Sequence, residues 1–169
     1  MSRFTPYALL LAGALVVGAG CNQDKDKDMD KNMSKTSMSD KSGKSLYDRL
    51  GGEPAITAVV DDFVGRAASD PKVNFTRKGQ PNQWDPSPAN VAKLKKRLVE
   101  FISMAAGGPN NYKGRDMVTA HTGMNISEAE FNAAAADLSA SLDKFKVPAR
   151  EKSELMAAVA GTKGQIVGK

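Results

Sequence analysis

The sequence predicts an all-α domain. Apolar residues recur at intervals of three and four along several segments, and serine-led capping sequences stand in front of two of them. The apolar/polar alternation of half-buried strands is missing throughout. The helical pattern covers residues 45–169, and two stretches of different composition precede it, 1–20 and 21–44.

Ser45-Leu-Tyr-Asp48 sets an N-cap serine three residues before an acid, and Gly51-Gly52 stops that short first helix. Pro54 suits the first turn of a second helix, whose stripe is Ile56, Val59, Val60, Phe63 and Ala67. Asp70-Pro71 ends it. An irregular stretch from Val73 to Ser87 follows, carrying Trp84, Pro81 and Pro86. Ser87-Pro88 opens a third helix expected to place Val91, Leu94, Leu98, Phe101 and Ile102 on one face, and Gly107-Gly108-Pro109 closes it. Ser127-Glu-Ala-Glu130 is a capping box for a fourth helix with Phe131, Ala135, Leu138 and Leu142 inward. Pro148 starts a fifth, carrying Leu155, Met156, Val159 and later Ile166 and Val167.

Ahead of this domain, Arg3 precedes an apolar run, Tyr7 to Gly20, that is short for a membrane span and ends in small residues before Cys21. The arrangement resembles a bacterial lipoprotein signal, in which the cysteine is lipidated and becomes the new N-terminus. Gly18 departs from it, standing where Leu or Val is usual. A plain secretory signal cut near Gly20, with Cys21 an idle thiol, is the alternative. Either reading exports the chain. Lipidation would anchor it to a bacterial membrane on the periplasmic side, each buried CH₂ contributing roughly 0.8 kcal/mol. Residues 22–44 alternate Asp and Lys, then turn to Ser, Thr and Met, without aromatic or β-branched aliphatic side chains. Nothing there offsets the entropy of ordering, so a solvated tether is expected.

Composition narrows the chemistry. A single Cys excludes an internal disulfide framework and any multi-cysteine zinc or iron–sulfur site. A single His excludes two-histidine metal sites and leaves little acid–base chemistry near neutral pH. The 24 Lys+Arg against 19 Asp+Glu give a net charge of +5 spread along the chain, which does not argue for nucleic acid.

The sole imidazole, His121, has Met117 one helical turn before it, and Met124 and Ile126 just after. An imidazole edged by apolar side chains on a short segment suits an axial ligand to haem iron. Such a ligand is neutral, with one ring nitrogen on iron and the other donating a hydrogen bond, here to the Met117 carbonyl as first candidate. Spacing alone does not separate this from an ordinary surface or core histidine.

The surroundings do. Leu46-Tyr-Asp-Arg-Leu-Gly-Gly-Glu-Pro-Ala-Ile56, Val59-Val-Asp-Asp-Phe63, Gly107-Gly-Pro-Asn-Asn-Tyr-Lys-Gly-Arg-Asp-Met117 and Ala120-His121, followed by Ile126 and Phe131, resemble the group 1 truncated haemoglobins. The resemblance implies a two-over-two helical sandwich around one haem b that reversibly binds O2, CO or NO. It makes His121 the proximal iron ligand and puts Phe75 near the family's phenylalanine that packs on the haem. Leu94, Leu98 and Phe101 would face the distal side, and Phe63, Met117, Ile126 and Phe131 would complete the lining.

The departures bear on mechanism. Better-known members carry a Tyr late in the second helix and often a Gln on the third, which donate to the ligand. Val64 and Leu98 stand there, and neither can donate. Weaker oxygen retention follows, and the nitric oxide dioxygenase activity of Tyr-bearing relatives is put in doubt. Lys95, Lys96, Arg97, Thr76 and Arg77 could restore polarity, a lysine amine even reaching iron; otherwise these charges coat the solvent face or meet haem propionates. The Trp84 insertion either caps the pocket or forms a partner surface. The alternatives to gas binding are a haem enzyme removing nitric oxide or peroxide, and a haem-less helical lipoprotein module. A reductase partner is possible under the haem readings, though the sequence names none.

Overall fold

A computed structural model describes residues 43–169; the apolar run, Cys21 and nearly all of the expected tether lie outside the described residues. The described residues form α1 (Leu46–Leu50), α2 (Gly52–Ser69), α3 (Pro88–Ala105), α4 (Met117–His121), α5 (Glu128–Lys144), α6 (Ala149–Ala160) and α7 (Lys163–Ile166). An isolated bridge joins Ile126 to Val167. Helix α2 packs on α3, α5 packs on α6, and α2 and α5 join the two pairs. This is the two-over-two arrangement expected.

The capping sequences work as read. Both serine boxes, Ser45 with Asp48 and Ser127 with Glu130, satisfy the first amides of α1 and α5 reciprocally. The two glycine pairs, far apart in sequence, meet at Tyr47. Gly51 ends α1 at φ 96°, a left-handed conformation that favours glycine. A Cβ on Gly108 would lie 2.5 Å from Tyr47 ring carbons, so only glycine lets the turn after α3 close on α1. The Tyr47 amide donates to the Ala106 carbonyl at 2.8 Å, and its hydroxyl accepts from the Glu53 amide at 3.0 Å.

The fully buried core is Leu46, Ile56, Val59, Val60, Val64, Val99, Ile102, Ala106, Leu138, Leu142 and Leu155. Three expectations are corrected here. On α2, Val64 rather than Phe63 completes the buried stripe, at 3% exposure. On α3, the single face expected divides. Val99, Ile102 and Ala106 turn into the core, whereas Val91, Leu94, Leu98 and Phe101 lie about one residue's rotation away (roughly 100°) and stay half-buried. The last predicted helix breaks at Gly161 into α6 and α7, so Val167 sits in the bridge to Ile126 instead of on a helix.

Charged pairs tie the helices from outside the core. Arg49 on α1 donates to Glu151 at 2.6 Å and pairs with Glu154, both on α6. Asp62 on α2 accepts from Arg66 at 2.6 Å and from Ser141 of α5 at 2.8 Å, and pairs with Lys144. Lys144, then Arg66 and Ser141, hold the Asp62 carboxyl far below the usual carboxylate range. Asp137, also on α5, is the opposite case. Its Oδ2 is buried without a partner, and burial together with the nearby Asp70 pushes its carboxyl up.

These opposite shifts give opposite pH dependence. A carboxyl depressed by folding stabilises above its unfolded pKa of about 3.9, and that contribution disappears as pH falls toward the folded value. A raised carboxyl stabilises nothing when ionised; its penalty grows as pH rises from the unfolded pKa through the folded one. Asp62→Asn should therefore lower Tm at neutral pH, with the deficit shrinking below about pH 4. Asp137→Asn should raise Tm at neutral pH, with the gain vanishing in acid. Thermal unfolding followed by circular dichroism between pH 3 and 8 checks both, and equal effects across that range would refute the assignments.

Candidate functional site

Helix α4 is five residues long and ends on His121. So short a helix is not stable alone, because nucleation costs more than one turn returns. Asp116 caps its first turn, accepting from the Thr119 amide at 2.9 Å. Helix α7 packs along it. One turn before the histidine, the Met117 carbonyl lies 2.7 Å from His121 Nδ1. A carbonyl only accepts, so this bond puts the proton on Nδ1 and leaves the Nε2 lone pair bare. The acceptor anticipated from helical spacing is the one found.

The apolar residues expected to line a haem are neither part of the fully buried core nor fully exposed. Leu94, Leu98 and Phe101 of α3, Met117 of α4, Met124 and Ile126 after it, and Phe131 at the start of α5 are all half-buried. Phe63 and Phe75 are half-buried as well and pack against the core. Helix α3 makes its main packing contact with α2, α4 with α7, and α5 with α2 and α6. The faces of α3, α4 and α5 that carry these side chains are therefore not closed on one another by close helix packing. Apolar groups that a protein of this size could bury are left partly open, at a cost of the order of 1.5–3 kcal/mol for each large side chain fully exposed.

Two cavities elsewhere are not part of this arrangement. One of about 320 Å³ lies on another side of α3 and is lined by Tyr47, Asp61, Lys95 and Ser103 among others. A smaller one of about 150 Å³ is lined by core residues such as Ile56, Leu142 and Leu155, with Phe145 at its edge. Neither includes His121.

The donor set fits a haem. His121 offers one neutral nitrogen, and no group of three or more His, Cys, Asp or Glu among the described residues is placed to hold a metal ion. One protein ligand suffices for iron whose remaining in-plane ligands come with a porphyrin, and an open apolar lining suits its hydrophobic faces.

Most of the charged side chains expected as substitutes for a distal donor are engaged elsewhere. Lys95 Nζ pairs with Asp61 at 3.0 Å, and Arg97 with Glu100 at 2.6 Å. Lys96 is exposed. Val64 lies in the core, and Leu98 packs against it from the half-buried side. Tyr112 stacks edge-on against Phe101, with ring centroids 5.5 Å apart, and its hydroxyl donates to the Arg115 carbonyl at 2.6 Å. Burial raises the Tyr112 phenol above its ordinary value, so it stays protonated.

The Trp84 insertion folds back on itself. The Trp84 amide donates to the Thr76 carbonyl at 2.8 Å, and the indole stands edge-on against Phe75 at 5.5 Å. Arg77 is expected from the sequence to restore distal polarity, coat the solvent face or meet a haem propionate. It reaches instead to Glu130 and Asn125, in the segment that follows His121. Neither partner is marked by a sequence motif that joins it to Arg77, so spacing gave no signal of this contact.

Comparison with known proteins agrees with this geometry. A family model described as bacterial-like globin matches residues 45–167. A group 1 truncated haemoglobin of Tetrahymena pyriformis is 30% identical over 125 residues, covering 74% of this chain and 96% of that protein. One from Mycolicibacterium paratuberculosis is 34% identical over 116 residues, covering 69% of this chain and 79% of that one. Among solved structures, the Fe(III) form of the T. pyriformis truncated haemoglobin superposes with a TM-score of 0.65 at 30% identity, covering 75% of this chain and all 100% of that one.

The Nδ1–H tautomer can be seen directly, because the chain has one histidine. Imidazole ¹⁵N spectra of the unloaded chain in its neutral-imidazole form should show a protonated Nδ1 and a bare Nε2. A protonated Nε2 would mean that the bond to Met117 is not made.

Proposed function

The chain belongs to the bacterial-like globin family, and on that premise we propose that it is a haem b protein binding a diatomic gas, with His121 as proximal iron ligand. Bound haem would supply an iron centre able to take up a diatomic gas. His121 Nε2 would hold that iron, and the proton held on Nδ1 by the Met117 carbonyl would keep the ligand neutral and fix its ring plane. This hydrogen bond is the observation that carries the reading. Phe63, Phe75, Leu94, Leu98, Phe101, Met117, Ile126 and Phe131 would cover the porphyrin and exclude water. An iron kept dry and apolar resists the side reactions that consume a bound gas.

Val64 and Leu98 set the distal character. A gas that gains negative charge on binding is retained by a hydrogen-bond donor, and hydrocarbon at both positions offers none. The reading therefore favours reversible binding of O2, CO or NO over catalysis, since chemistry on an O–O bond needs a positioned acid or donor. We extend it to export with lipid on Cys21, supported by the apolar run ending directly before the only cysteine. Metabolic labelling of an expressing bacterium with a radioactive fatty acid tests this; label should be incorporated and should be lost in Cys21→Ser.

The haem reading is tested by absorbance of the haem-loaded chain. His121→Ala should lose or shift the ligand-dependent Soret band and regain a ligand from added imidazole; an unchanged spectrum would refute ligation through His121. Leu98→Gln should introduce a donor contributing about 1.5–3 kcal/mol to a charged acceptor, slowing O2 release by roughly one to two decades. Release of CO, which is less polar when bound, should change much less. Equal O2 release rates in both proteins would remove Leu98 from the distal side.

A further inference from the structure

The segment after His121 has little helix of its own to hold it, and it is bonded directly to the His121 peptide group. Met124 bonds back to the His121 carbonyl through its amide at 3.0 Å, so any displacement of residues 122–126 is passed to the ligand's own peptide group. Two other parts of the chain grip this segment. On one side the Asn125 amide donates to the Lys169 carbonyl at 2.7 Å, and the Gly168 amide to the Ile126 carbonyl at 3.0 Å. On the other side stands the Trp84 loop. A Cβ on Gly123 would come within 3.9 Å of Asn82 Nδ2, so this loop reaches the turn directly after the histidine.

Arg77 is the centre of that contact. It is only 5% exposed, although it lies in a loop and carries a charge. Its Nη1 donates to Glu130 at 2.8 Å, and its Nη2 reaches the Asn125 carbonyl at 3.4 Å. Glu130 is the residue whose other carboxylate oxygen accepts from the Ser127 amide and hydroxyl at 2.7 and 2.9 Å, fixing the start of α5. Burial opposes ionisation of Glu130, but the Ser127 and Arg77 hydrogen bonds outweigh it and hold the carboxyl below its ordinary value. One guanidinium thus ties the turn before α5 to the first turn of α5.

The backbone is strained at both ends of this contact. Arg77 and Asn125 have φ of 54° and 47°, the left-handed region that side chains avoid. Arg77 Nε and Asn82 Oδ1 are buried without partners. Strain and unsatisfied polar atoms persist only where the surrounding structure over-determines them, and they cluster at clamps and binding sites. Phe75, two residues before Arg77, packs against the core and meets Trp84 edge-on, which gives the loop an apolar footing.

We propose that Arg77 is a positioning residue for His121: through Asn125 and Glu130 it fixes the turn that follows the ligand, and with it the direction of Nε2. The role toward iron rests on His121 being the proximal ligand; the grip on the turn does not. The Trp84 insertion is accordingly a proximal brace.

The test compares the full chain as purified and haem-loaded with its Arg77→Met and Arg77→Lys variants. Resonance Raman of the ferrous, gas-free protein reads the iron–histidine stretch, transfer to an apo-globin acceptor reads haem loss, and amide exchange reads the turn. Arg77→Met should shift or broaden the iron–histidine band and speed haem loss by about tenfold, as the removal of outer supports of a metal ligand commonly does. Exchange at Met124 and Asn125 should quicken by about tenfold while Val60 in the core keeps its rate. Arg77→Lys, which keeps the pair with Glu130 but not the fork, should recover part of each effect. An unchanged band with unchanged exchange overturns the proposal. So does exchange that quickens equally at Val60, because the effect would then be global stability. Wild-type protein without an iron–histidine band overturns the ligand reading and the role toward iron, while exchange at Met124 and Asn125 still decides whether Arg77 braces the turn.

Discussion

The hydrogen bond between His121 Nδ1 and the Met117 carbonyl is the constraint on which the site depends. It sets the tautomer, leaves Nε2 free and holds the ring plane. It also demands that one turn of helix exist between residues 117 and 121, in a helix too short to be stable by itself. The stability of α4 has to come from outside. Asp116 supplies a cap, α7 supplies packing, and the bridge between Ile126 and Val167 ties down the segment that follows. Lys163 of α7 pairs with Glu128 of α5 at 2.5 Å, joining the last helix to the same corner. Parts of the chain distant in sequence thus converge on one imidazole.

The core and the site divide the apolar residues between them. Val59, Val60, Val64, Val99, Ile102, Leu138, Leu142 and Leu155 are fully buried and account for the packing of α2 on α3 and α5 and of α5 on α6. Leu94, Leu98, Phe101, Met117, Ile126 and Phe131 are left half-buried. Helix α3 shows the division most clearly, since a rotation of about 100° separates its buried face from its half-buried one. A helix apolar over so wide an arc has two partners to satisfy. α2 is one, and a flat apolar cofactor lying between α3, α4 and α5 would be the other. Covering those side chains would recover part of the hydrophobic stabilisation that the protein alone forgoes.

Local chemistry was legible and long-range contact was not. Ser45 with Asp48, Ser127 with Glu130, Pro88 and the paired glycines each act within a few residues, so their positions marked the helix ends. The Met117 carbonyl was legible for the same reason, lying one helical turn from His121. Phe63 and Val64 were harder to order. Adjacent apolar residues at a stripe's edge differ by a single rotation, and only the position of α5 decides which is buried. The break at Gly161 was missed because Ile166 and Val167 continue the apolar text, although they serve the bridge to Ile126. Arg77 was the furthest from reach. A charged residue in a polar loop reads as solvated until its partners, 48 and 53 positions away, are brought to it by the fold.

Polarity on α3 is arranged so that none of it is given to the half-buried face. Lys95 is held by Asp61 and Arg97 by Glu100, while Leu94, Leu98 and Phe101 present hydrocarbon. Under the proposed reading this has a consequence for control. In a globin with a distal donor, gas retention is set mainly by hydrogen bonds on the ligand side, each contributing on the order of 1–3 kcal/mol. Val64 and Leu98 remove that means of adjustment. What remains is the proximal side: the direction of Nε2, the basicity the Met117 carbonyl confers on it, and the freedom of the turn after it. A brace from Arg77 would act on that turn, so under the same reading an apolar distal face and a gripped proximal segment would belong to one arrangement, with retention governed from behind the iron.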